Sequence, residues 1–138
     1  MALLTKKHLR KAVAKMWQFH NPNPKGKSVG DCTIRAIGIA TDKGWMETYL
    51  DLCLFGLLMA DMPSANHVWG QYLKSKGFKR YIVDDHDNDW YTVADFCADN
   101  PKGVYVLALD SHVVCVVDGR YYDTWDSGNE IPNYYWTK

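Results

Sequence analysis

The chain has 138 residues, 47% of them hydrophobic and 23% charged, and its 16 basic residues balance its 16 acidic ones. That is the length of one ordinary domain, with apolar material for a single core without disulfide or metal staples. It excludes a chain that stays unfolded through high net charge and a whole domain held on nucleic acid by bulk charge, so no nucleic-acid partner is expected.

Charge is nevertheless segregated along the chain. Lys6, Lys7, Arg10, Lys11 and Lys15 occupy the first fifteen residues with no acid among them, whereas Asp84 to Asp99 carries acids and no lysine or arginine. Leu4 to Trp17 reads as a basic amphipathic helix whose stripe is Leu9, Val13, Met16 and Trp17. Met1 to Leu4 is too short an apolar run for a secretory leader. Asn21 to Ser28, with Pro22, Pro24 and Gly26, can be neither helix nor central strand and is predicted as a loop leading to Cys32.

A helix is predicted from Cys32 to about Asp42, and a second over Trp45 to Ala60. Both are apolar on nearly every side, which requires cover from other layers. The second contains Asp51 and is too short to cross a bilayer, so no membrane span is expected. Pro63 and Ser64 open a third, with Val68, Trp69, Tyr72 and Leu73 inward and Gly77 beyond its end.

From Phe78 the pattern turns to β. A strand over Phe78 to Val83 is followed by an acidic loop, Asp84 to Asp89, whose spacing resembles a calcium loop but puts Trp90 where glycine is needed and Phe96 where glutamate is needed. Thr92 and Asp95 form a capping-box pattern for a short helix ended by Pro101. Strands follow at Val104 to Leu109, Val113 to Val117 and Arg120 to Trp125, with a last one at Tyr134 to Thr137. Helices first and an antiparallel sheet after them is an α+β arrangement. It is read as a single domain of residues 1–138, with a basic helix in 1–20, a helical half in 21–77 and a mainly β half in 78–138.

The chemistry centres on Gly30-Asp31-Cys32-Thr33, where a polar loop runs directly into an apolar helix. A thiol in the first turn of a helix faces the positive end of the dipole and unpaired N–H groups. Both favour thiolate, and the same N–H groups can hold an oxyanion. Downstream, His112 opens one strand of a hairpin, and Asp123 and Asp126 lie on or just beyond the returning strand, so a base and its orienting carboxylate can be cross-strand neighbours. The size of the Asp118-Gly119 loop decides which: a two-residue loop gives Asp123, a bulged three-residue loop Asp126. Cys53, Cys97 and Cys115 sit in apolar surroundings with no metal or redox spacing, which predicts no metal, no cofactor and a reducing, cytoplasmic compartment.

The order Cys32, His112, aspartate, with Asp31-Cys32 opening a buried helix and His112-Val113-Val114 facing Asp118-Gly119 and Asp126, resembles the papain-like cysteine peptidases, closest to the small peptidase C39-like group and related proteins of bacteria and their phages. The likeness spans about Gly30 to Asp126. It implies a papain-like fold in a bacterial or phage-infected cell, with Cys32 as nucleophile, His112 as general base and then acid, and Asp126 orienting the imidazole. The family's polar oxyanion residue, about six positions before the cysteine, falls here on Gly26, and Asn23 or Asn21 replaces it only if the loop bends back. The activity implied is that of a thiol protease, a hydrolase acting on a protein or peptide amide through a thioester. The alternative on the same fold is an inactive binding module, such as a phage protein that occupies a host target.

Overall fold

The computed structural model describes residues 16–83 and 90–138. The acidic loop of residues 84–89, and all but the end of the helix expected over 4–17, lie outside the described residues.

One six-stranded sheet organises the molecule. Its strands are β1 (Trp17–Phe19), β2 (Lys79–Ile82), β3 (Val104–Leu109), β4 (His112–Val117), β5 (Arg120–Asp123) and β6 (Tyr134–Thr137), in the order β1-β5-β4-β3-β6-β2. All pairings are antiparallel except β1 with β5. Among the described residues four helices accompany it: α1 (Cys32–Ala40), α2 (Trp45–Leu58), α3 (Asn66–Ser75) and α4 (Val93–Asp99). The described chain is thus mixed α+β, as the sequence predicts.

Trp17 corrects the expected helix, since it begins a strand. The parallel pairing Trp17↔Tyr121 to Phe19↔Asp123 gives its backbone ladder partners, and its indole Nε1 donates to the Asp123 carbonyl at 3.2 Å. Met16 and Trp17 pack on one face of the sheet with Val93, Phe96, Leu107, Val114, Val116 and Tyr121, beneath α4. The other face carries the second cluster, in which Ala36 and Ile37 of α1 and Trp69, Tyr72 and Leu73 of α3 meet Val106, Val113 and Cys115. Alternation along β3 and β4 feeds both clusters, as a sheet covered on both faces requires.

The β4–β5 hairpin closes as a two-residue loop with Val117 opposite Arg120. Asp118 and Gly119 both have positive φ, 49° and 76°, the conformation that a type I′ turn demands and that matches the right-handed twist of the strands. The bulged loop that would favour Asp126 is therefore not formed.

The helices differ in cover. α1 buries Thr33, Arg35, Ala36, Ile37 and Gly38, whereas α2 buries only Thr48, Leu52 and Gly56, a single i+4 row. The chain after α2 folds back across Gly56, where a Cβ would come within 2.6 Å of the Asp61 carbonyl oxygen. The expectation that other layers cover α2 all round is met on one side only, because α1 and α3 pack on that side and nothing among the described residues lies over the other.

Candidate active site

Cys32 owes its place to the loop before it. Asn23 Oδ1 accepts from the N–H groups of Lys25 (2.9 Å) and Lys27 (3.2 Å), and Asn21 Oδ1 accepts from Asn23 N at 3.2 Å, so side chains replace the backbone ladder of a strand. Asn23 Oδ1 therefore serves its own loop, while an oxyanion donor would be its Nδ2–H group. Asp31 occupies the N-cap position of α1, but its carboxylate does not cap the helix. It binds the guanidinium of Arg35 and the indole N–H of Trp45 (2.8 Å) instead. The first-turn N–H groups beside Cys32 are left without a side-chain acceptor, which is the condition for binding an anion there.

His112 stands at the start of β4, and its Nε2 lies 2.6 Å from Asp123 Oδ2. The Cys32 thiol lies near enough to the His112 side chain and the Val113 backbone for both to favour its ionised form. The side of His112 is covered by Trp125, whose ring centroid is 4.9 Å away. Trp125 is the residue that the two-residue register sets opposite His112.

Asp123, at the end of β5, is 1% exposed and fully engaged. Besides His112, it accepts from Ser127 Oγ (2.7 Å), Arg35 Nη2 (3.1 Å) and the Thr124 N–H (2.8 Å). Asp126 does not touch the imidazole: its carboxylate takes the Tyr121 hydroxyl and, at 3.1 Å, the Gly128 N–H. His112 is thus bonded by Asp123 and not by Asp126, and the physical reason is the hairpin register.

Electrostatics follow from this geometry. Burial opposes ionisation of Cys32, yet the hydrogen bond and charge of His112, the Val113 N–H and the Arg35 charge outweigh it, and the thiol pKa falls below its ordinary value. Burial also disfavours the imidazolium, but bonding to Asp123 and to Cys32 raises His112 to about 9. Burial alone would raise Asp123, while His112, Ser127 and the Thr124 N–H bring it down. Asp31, Arg35, Asp123, His112 and Cys32 thus form a row in which acidic and basic groups alternate. By contrast, burial pushes Cys97 up to about 12 and Cys115 higher still.

Sequence reasoning brings Cys32 and His112 together and misses Arg35, Asp31 and Ser127. A signal for the first two was present, because an acid and an arginine spaced i, i+4 inside an otherwise apolar helix have to find partners when that helix is buried. A cavity of about 600 Å³ flanks α1 behind Arg35, between His20, Ile39, Trp45 and Tyr122, and neither Cys32 nor His112 lines it. Among the described residues no group of three or more His, Cys, Asp or Glu side chains is placed to hold a metal ion, and no helix is long and apolar enough to cross a membrane. Set against family models, curated proteins and solved structures, the chain finds no match.

Proposed function

We propose that this chain is a papain-like cysteine hydrolase that cleaves a peptide or isopeptide amide through a thioester, with Cys32, His112 and Asp123 as its triad. One observation carries the reading: a single imidazole joins a first-turn thiol of lowered pKa to a buried carboxylate. The Cys32 thiolate adds to the amide carbonyl carbon, forming the C–S bond and moving the π electrons onto oxygen, which the first-turn N–H groups hold. His112 gives its proton to the leaving nitrogen as the C–N bond breaks and the amine departs. A water then adds to the thioester while His112 takes its proton, and the C–S bond breaks to return acid product and thiolate. Asp123 keeps Nε2 protonated and the ring in place throughout. The substrate class and the cytoplasmic setting belong to this proposal, and so does the likeness of the helix-then-sheet order to papain-like enzymes.

Gly26 stands where the resemblance calls for a polar oxyanion residue, and this favours a second reading, an inactive binding module. Alkylation by iodoacetamide across pH separates the two. The enzyme reading expects Cys32 to react fastest of the four cysteines at neutral and mildly acid pH, and to slow when His112 is replaced by alanine. Four slow thiols, or a Cys32 indifferent to His112, would remove it.

A further inference from the structure

We infer that the outer face of α2, with the turn that follows it, is the surface through which two copies of this chain pair about a two-fold axis. The face is set by Met46, Leu50, Leu54, Leu57 and Leu58, exposed by 53% to 77%, and it continues through the turn to Met62. Soluble chains seldom leave such a contiguous apolar stripe in water. At about 150–200 Å² for a large apolar side chain, these exposures, with those of Tyr49 and Met59, leave on the order of 800 Å² uncovered. That is about one partner's share of a standard protein interface.

The pattern fits its own copy. Positions 46, 50, 54 and 58 read the same from either end, so an antiparallel α2 sets Met46 against Leu58 and Leu50 against Leu54, while Leu57 falls opposite Glu47. Residue i then meets residue j and j meets i, as a two-fold requires. On the same rule Lys43, which holds Asp51 at 2.8 Å within its own chain, lies opposite Asp61, and no like charges face each other across the centre.

Other occupants fit less well. The face has no lysine or arginine of its own, and Glu47 and Asp61 flank it, which opposes an anionic membrane surface. Met16 and Trp17, where the described chain begins, pack on the sheet face beneath α4, whereas α2 lies beyond α1 on the opposite face.

Sedimentation equilibrium of the full chain tests this. At about 100 µM the expected mass is twice the 15.8 kDa of one chain, with a Kd in the micromolar range or below. Leu50→Glu with Leu54→Glu should weaken pairing by roughly 100-fold or more, because two carboxylates per chain would be buried without partners. Both sites are exposed, and unchanged melting of the dilute variant confirms that its fold is intact. Arg80→Glu on the β2 edge should leave the dimer unchanged. A wild type that stays monomeric, a dimer that survives the double substitution, or one broken by Arg80→Glu would each overturn the proposal.

Discussion

The joint between α1 and β5 and the outer face of α2 break the same rule in opposite directions. At the joint, Asp31, Arg35 and Asp123 are 5% exposed or less and are held by one another. On the outer face, Leu57 and Leu58 are more than three-quarters exposed, with no cover among the described residues. Buried charge is costly unless paired, and exposed apolar area is costly unless covered. The first cost is met within the chain by a network that also aligns His112, while the second is left for a second molecule. Apolar composition therefore does not say whether a helix is interior: α1 and α2 read alike, and only packing distinguishes them.

The largest effect belongs to the joint. Asp123→Asn should lower amide turnover by on the order of 10⁴, the scale on which the orienting aspartate acts in serine proteases, with Asp126→Asn far milder. An assay of both variants on a substrate that acylates the wild type checks this, and equal losses would return Asp126 to the site. Next, Arg35→Met should cost about 3–5 kcal/mol by urea unfolding, since it removes the one cation that two buried carboxylates share. Leu57→Ser on the outer face, in dilute monomer, should stay within about 0.5 kcal/mol. Similar costs for both would erase the contrast between the two regions.

A smaller effect is set by pH. His112 rises from 6.5 to about 9 on folding, so its charged form contributes stability that is complete below 6.5 and is lost as pH climbs through about 9. Asp123 gives the opposite limb: its contribution is present above 3.8 and disappears as pH falls through its lower folded value. Unfolding curves in a Cys32→Ser background isolate the histidine, because Asp123 is the stronger of the two influences that raise it. A curve that does not fall on the alkaline side would contradict the His112–Asp123 pairing. The smallest loss that unfolding would resolve is that of Thr92→Ala, which removes one arm of the α4 capping box at a cost of about 1 kcal/mol. That value is the scale of an ordinary exposed cap, against which the joint is to be judged.

The elements that were legible in the sequence are those specified locally. Strands β3 and β6 fall at their predicted bounds, Thr92 and Asp95 cap α4, and α3 buries the predicted stripe of Val68, Trp69, Tyr72 and Leu73. Cys32 at a helix start and His112 at a strand start were legible for the same reason. What was hidden depends on distant partners. Trp17 lies in a strand because Tyr121 offers it an edge, and α2 lacks its second cover because no segment of the described chain reaches it. Asp123 is an intermediate case. An Asp-Gly pair between alternating apolar residues is itself the signal of a two-residue type I′ loop, and that turn chemistry places Asp123 at His112. The resemblance pointed to Asp126, and local stereochemistry outweighs it.

The parallel pairing of β1 with β5 has a consequence for the order of assembly. Trp17 and Asp123 are 106 positions apart, and the Asp123 carbonyl is held from the first strand by both the Trp17 indole and the His20 N–H. Closing a loop of that length costs chain entropy before any contact offsets it, so such a pairing forms late. During synthesis from the N-terminus, Cys32 emerges long before the carboxylate that completes the row. The thiol therefore keeps its ordinary acidity until His112 and Val113 of β4 have reached it.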